Sequence, residues 1–508
     1  MKKSNKGKTG FLKLEKVFFS FVYVLPFVLF FSYYPLIHFG ADSSMNFEIS
    51  LPIIWLVLFD ILAVLIMAKR KILFCGIKKR WMWLLFPLWL TVSVFWSANF
   101  VRGILTAGIV WLLYFAVYAI FSLKEMFDKE FSRKWWKWFL GSAIFVCVWC
   151  FVQCLLDLVG VSREYSLMCE GCTYQMFGFP HPNGFAIEPQ FMGNLLLAPA
   201  IVAAWLYVEG NCNKTNNDLR FLCSNSLLFC LFIITATLFL TFSRGAIYAF
   251  VVGMIFMTAF LIAKDKNILK RAGMVWLVVV FSFLFTLNLQ GLMAELSPTN
   301  DNYQSGVAKV LNHLSLGVID VRDKKASFSG EEQALFSEIT GEEREVGDSV
   351  VVENPVENFD EKDANSAGDA VFDGYVAEST DIRLRLSGAA VDAWRKNVTT
   401  VLVGVGIGGA GQALYSNGLS STPKEIVQNQ YSSLLLETGL VGVSLFALTM
   451  VLVFCVVWKN NKKAAVLSMI VSYGIALLFF SGLPNALHIY LLPVVIMAVP
   501  IKFLSGKS

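Results

Sequence analysis

Residues 225–263 read NSLLFCLFIITATLFLTFSRGAIYAFVVGMIFMTAFLIA. Two apolar runs, 225–242 and 246–263, flank a single charged residue, Arg244. An apolar run of about 18–20 residues crosses a bilayer as a helix. The stretch therefore predicts two membrane helices joined by a tight turn at FSRGA. Reading outward, the same criterion finds ten further runs: 17–38, 51–68, 81–97, 103–122, 138–160, 190–208, 272–290, 433–457, 464–482 and 486–502. The expected fold is an all-α polytopic membrane protein with about twelve transmembrane helices. Nine lie in 1–290 and three in 433–508, separated by a long segment, 291–432.

Composition agrees. Of 508 residues, 56% are hydrophobic and only 16% charged, against about 25% charged in a soluble domain. A soluble enzyme, a disordered chain and a small disulfide scaffold are excluded. Nucleic-acid binding is disfavoured, because the basic residues are scattered between apolar runs and form no stripe.

Charge sets the orientation. With the N-terminus taken as cytoplasmic, the inner segments hold 28 Lys and Arg, while the short outer connections hold Arg102, Arg163 and Arg244 only. Cytoplasmic loops carry the excess of Lys and Arg, so both termini are expected inside and 291–432 outside. Residues 291–386 carry 20 Asp and Glu against 8 Lys and Arg. Within them, 326–380 reads as an acidic insertion low in large apolar residues and expected to be poorly ordered. Residues 302–320 have apolar residues at helical spacing, as in a helix lying along the membrane surface. Most of the ten Cys fall in or beside apolar runs and read as core residues; Cys169 and Cys172, in an outer loop, can pair as a disulfide or make a weak metal site.

Chemically capable residues gather at the outer edge. Arg244, in the FSRGA turn, can grip phosphate oxygens in a bidentate way, or snorkel to lipid headgroups. Arg383 and Arg385 open an amphipathic stretch, DIRLRLSGAAVDAWRKN (381–397). Their spacing puts them on different helical faces, one towards a site and one towards solvent; pairing with the acidic insertion is the alternative. GVGIGG (404–409) is a weak match to a phosphate-cradling loop, since no strand precedes it. It reads as a tight turn, with Gly406 and Gly408 allowing close backbone approach. QNQYSSLLLETGLVG (428–442) opens the tenth span with Gln428, Asn429 and Tyr431 near its outer end. Glu437 lies nine residues further, roughly 13 Å deeper along a helix, where a carboxylate must be paired or line a cavity. FGFPHPNGFAIEPQFMGN (177–194) reads as a shaped loop that can turn His181 and Glu188 towards an outer cavity. SVFWSANF (93–100) ends the third span on an interfacial Trp96.

Together these stretches resemble the bacterial O-antigen ligase and O-antigen polymerase superfamily of integral-membrane glycosyltransferases. SVFWSAN, HPNGFA, FSRGA, the helix around Arg383 and Arg385 with its GVGIGG turn, and QNQYSSLLLETGLVG follow the family's signatures in order over about residues 80–500. The resemblance implies transfer of a glycan from an undecaprenyl-diphosphate carrier to a lipid, protein or wall-polymer acceptor, on the extracytoplasmic face of the bacterial inner membrane. Lipopolysaccharide and other cell-envelope polysaccharides are the products it suggests. No cofactor, metal or nucleotide is expected. It implies that Arg244 and the Arg383/Arg385 position bind the donor diphosphate. By position, the family's catalytic His falls on Gln428, which cannot act as a base near pH 7. Glu188, Glu437, His181 and His313 remain as candidate proton acceptors. The motifs do not separate a ligase from a repeat-unit polymerase. A multi-span transporter or flippase and a silent scaffold are the readings from other classes.

Overall fold

In the computed structural model, residues 4–39, 47–73, 81–159, 181–209, 225–296, 303–315, 382–420, 422–423 and 426–501 are described. Cys169, Cys172 and the acidic insertion 326–380 lie outside them. The helices are α1 (Ser4–Val28), α2 (Leu51–Lys69), α3 (Leu85–Ser93), α4 (Phe100–Leu123), α5 (Lys129–Leu158), α6 (Pro189–Glu209), α7 (Asn225–Leu240), α8 (Arg244–Lys264) and α9 (Leu269–Leu296). They are followed by α10 (Tyr303–Leu314) and α11 (382–395). The rest are α12 (Val398–Val403), α13 (Ala410–Ser416), α14 (Gln430–Trp458), α15 (Lys463–Ala476) and α16 (Leu487–Ala498).

Among the described residues, eight helices are long and apolar enough to cross a membrane: α1, α2, α4, α5, α6, α8, α9 and α14, some extended by a short 3-10 turn. Four shorter apolar helices, Trp81–Trp96, Asn225–Leu240, Lys463–Ala476 and Leu487–Ala498, occupy the other predicted spans. The architecture is that of a helical, polytopic membrane protein. One departure is local. The run expected to extend to residue 38 leaves the helix after Phe31. Pro35, which lacks an N–H for a helix ladder, opens strand β1 (Pro35–Phe39), which pairs antiparallel with β2 (Phe47–Ser50).

The centre of the bundle is α6, with α7, α8, α9 and α15 packed around it. It is apolar on every side, as a fully enclosed helix must be. Ala198, Ala200, Ala203 and Ala204 have no exposed surface, and such small residues let neighbouring backbones come close. Gly193 is decisive for the site. A Cβ there would lie 2.9 Å from both Ala246 Cβ and Thr241 Oγ1, so the α7–α8 turn rests directly on α6. Hydroxyls tie the helices together. Thr235 on α7 donates back to the Leu231 carbonyl (2.7 Å) and meets Ser282 Oγ on α9 at 2.8 Å.

The outer-segment helix α10 packs on α9. Its Lys309, Asn312 and His313 are buried, so its polar face is turned into the protein. The helix expected within 302–320 is present over Tyr303–Leu314.

Candidate functional site

The α7–α8 turn carries the first cation. Phe242 has φ +50°, the left-handed region that costs a side-chain-bearing residue on the order of 1 kcal/mol or more. Ser243 is the N-cap of α8, and its hydroxyl accepts from Ala246 N at 3.3 Å. Arg244 is then the first residue of α8, and only 7% exposed. A cation at the positive end of a helix dipole opposes that dipole. An anion bound there would be attracted by both.

The second cation is Arg383, on α11. Its Nε donates to Gln428 Oε1 and its Nη2 to Gln190 Oε1, both at 2.8 Å. Gln190 stands at the start of α6, where its Nε2 donates to Glu188 Oε2 (2.6 Å) and its backbone carbonyl accepts from Ser243 Oγ (3.3 Å). One network therefore joins α6, the α7–α8 turn, α11 and the lead-in to α14. Burial pushes the Glu188 carboxyl up from its usual range, against the Gln190 hydrogen bond and the Arg383 charge.

α10 closes over the turn. His313 Nε2 lies 3.0 Å from the Phe242 carbonyl, and the Tyr248 hydroxyl donates to the Leu314 carbonyl. Burial first, then the Arg244 charge, push the His313 imidazole down to about 3; His181 and Arg383 act in the same direction, and the Phe242 hydrogen bond opposes them. Arg244, Arg383, His181 and His313 thus share one electrostatic field. His181 is buried beside the Phe242 ring, 6.3 Å between centroids. Its loop is folded on Gln153 of α5, whose amide bonds Asn183 Oδ1 and the Gly184 carbonyl and accepts from Gly184 N (2.9–3.1 Å). Arg385, two residues from Arg383, is turned to the exposed side of α11.

The start of α14 divides its work residue by residue. Gln428 holds Arg383. Asn429 is the N-cap, its Oδ1 accepting from Tyr431 N and Ser432 N. Gln430 Oε1 accepts from Gly482 N (2.6 Å) and Leu483 N (2.9 Å) in the α15–α16 connection. Tyr431 donates its hydroxyl to the Gly474 carbonyl on α15 (2.8 Å).

Glu437 belongs to a second, neighbouring assembly. At Gly439 (φ +63°) α14 breaks its helical backbone, which leaves carbonyls without their helical partners. The glycine turn supplies donors: Val405 N reaches the Leu436 carbonyl and Gly406 N the Glu437 carbonyl, each at 2.9 Å. Gly406 (φ +90°) presses on the third-span motif, where a Cβ would lie 2.3 Å from Ser97 Cα. Ser97 Oγ donates to the Ile407 carbonyl (2.8 Å). Gly408 is also in the left-handed region (φ +77°), against the backbone of Arg102 and Gly103. Ala410 N, opening α13, donates to Glu437 Oε1 (3.3 Å). With Arg102, Thr106, Gln430, Ser433 and Ser481, Glu437 lines a small polar cavity.

Gln190, Gln153 and Arg102 were not singled out from the sequence. Arg102 had left a trace, as one of three basic residues in the short outer connections. Gln190 and Gln153 had left none, since an amide near or inside an apolar run marks no chemistry by itself.

A polytopic helical membrane protein with a buried arginine, Arg244, and a part-buried one, Arg383, acting on the same histidine is the class that fold and site define. Residues 229–447 match the family model described as O-Antigen ligase, and the match supports membership of the O-antigen ligase superfamily. The matched stretch contains Arg244, Arg383, the glycine turn and Gln428 to Glu437. No curated protein and no solved structure matches the chain.

Proposed function

We propose that this chain is a membrane glycosyltransferase. It moves a glycan from an undecaprenyl-diphosphate carrier to an acceptor hydroxyl, at the extracytoplasmic face of a bacterial inner membrane. The observation that carries the reading is that Arg383 is hydrogen-bonded through Gln190 to the turn that carries Arg244, and that both guanidiniums act on His313. The coarser part, an O-antigen ligase-like enzyme, has the family match behind it.

The chemistry follows from the charges. The acceptor oxygen attacks the anomeric carbon and passes its proton to the Glu188 carboxylate, which lies in the same network and which burial makes more basic, while the bond from that carbon to the diphosphate oxygen breaks and its electron pair leaves with the diphosphate. Two guanidiniums in a water-poor site offset the growing charge and require neither metal nor nucleotide. A carrier chain needs an apolar path. A groove of about 550 Å³ between α4, α14, α15 and α16, lined by Tyr114, Phe446, Phe454 and Tyr490, is also lined by Tyr431, three residues beyond Gln428.

The test is reconstitution with a carrier-linked glycan and candidate acceptors, with mass analysis of products. Arg244→Ala and Arg383→Ala each lower transfer at least a hundredfold while expression and membrane insertion persist. Near-normal product from both variants would remove the mechanism. The same assay tells a ligase, which attaches a finished chain, from a polymerase, which joins repeat units on the carrier.

A further inference from the structure

We infer that Gln190 and Gln428 are positioning residues that hold Arg383 by neutral carboxamides, so that its orientation is fixed while its positive charge stays uncompensated for an anionic diphosphate diester. The inference rests on the reading of Arg383 as a donor-binding cation.

A guanidinium is most strongly held by a carboxylate, in a bidentate, charge-assisted pair. Such a pair fixes direction but cancels charge. Arg383 is fixed at two points, Nε and Nη2, and both acceptors are amide oxygens at 2.8 Å. A carboxamide oxygen accepts a hydrogen bond without carrying a net charge. The carboxylate of this region, Glu188, stands one step back: it meets the amino group of Gln190, whose oxygen faces Arg383. Gln190 therefore polarises towards Arg383 while keeping the anion away from it. No bond within the described residues uses Nη1 of Arg383, which leaves that edge of the fork for phosphate oxygens. On this account Gln428 has no proton to transfer. It occupies its place because a group that could ionise to an anion there would compete with the donor.

The other groups that the Arg383 charge acts on are Glu188 from the lead-in to α6 and His313 on α10, and His313 is acted on in turn by Arg244 on α8 and His181 from the loop before α6. Gln428→Glu leaves the Gln190–Glu188 bond in place, so for that variant the ratio to wild type isolates the introduced group, whereas Gln190→Glu also removes the hydrogen bond to Glu188.

The experiment measures binding of a short-chain prenyl diphosphosugar, whose diphosphate diester does not titrate between pH 5 and 8, to the purified full chain in detergent. Gln190→Glu and Gln428→Glu each weaken binding tenfold or more relative to wild type at pH 8, and recover most of it at pH 5 as the new carboxyl protonates. Gln428→Met, similar in shape but unable to accept, weakens binding equally at both values. Failure of wild type itself to bind would defeat the donor reading. Binding by wild type with unchanged affinity in both Glu variants at pH 8 would overturn the positioning role, and so would a loss in those variants that is the same at pH 5 and pH 8.

Discussion

His313 is held in its neutral form by burial and by the Arg244 charge, with the imidazole pushed down to about 3. A carbonyl can only accept, so Nε2 carries the hydrogen that faces Phe242. The linkage has a definite sign. In the unfolded or undocked segment the ring takes up a proton as pH falls through 6.5, while the docked ring does not until about 3. The loose state binds more protons over that window, so docking of α10 weakens as pH drops. Hydrogen exchange of the α10 amides, corrected for intrinsic rates, is expected to be faster at pH 5 than at pH 7.5. His313→Gln, which keeps an N–H donor and does not titrate, is expected to flatten the difference; equal protection in wild type at both values would refute the account. Of these groups the sequence announces the charged and ring-bearing ones, Arg244, Arg383, His181 and His313. It is silent on Gln190, whose significance is positional: an amide acquires meaning only when the chain brings a guanidinium from 193 residues away to within 2.8 Å of it.

At the level of elements, the lock between the glycine turn and α14 is the part most sensitive to a single methyl group. Gly406→Ala meets both a left-handed backbone and the main chain of Ser97, which cannot step aside. Gly418 has a similar φ of +67° but open space around it. Gly406→Ala is therefore expected to cost on the order of 3 kcal/mol or more, and Gly418→Ala about 1 kcal/mol. Melting temperatures in detergent give the ranking, and comparable shifts for the two would mean that the close approach is not what matters. The sequence showed a glycine-rich turn and an apolar run beginning near residue 433. It could not show that the run breaks at Gly439 and hands two carbonyls to that turn, because hydropathy is blind to one backbone torsion.

Across the whole molecule, the apolar runs located helices, and among the described residues eight of these are long and apolar enough to cross a membrane, since lipid imposes one length and one composition on every span. Charge counting is coarser. Lys462 contributes one unit to the basic inner loops, yet it is 4% exposed. Its ammonium donates to the Ile496, Met497 and Val499 carbonyls at the end of α16 and lies 6.0 Å from the Trp136 ring. It closes a helix C-terminus that would otherwise end on unsatisfied acceptors. Lys462→Met is expected to lower stability by about 2 kcal/mol, read as a reduced melting temperature. Donor affinity should be unchanged, because α14 separates this staple from the cationic cluster by roughly 40 Å. Loss of donor binding in that variant would mean that the two ends of the bundle are coupled.

The contact between Arg383 and Gln190 also bears on biosynthesis. A ribosome delivers the Arg244 turn early, with Gln190 already behind it, but Arg383 and Gln428 emerge only after more than a hundred further residues. A nascent chain interrupted anywhere in between holds most of its helices in the bilayer and half a binding site. Truncated products are therefore expected to be inert in the membrane, since they lack the Arg383 and Gln428 half of the proposed donor site.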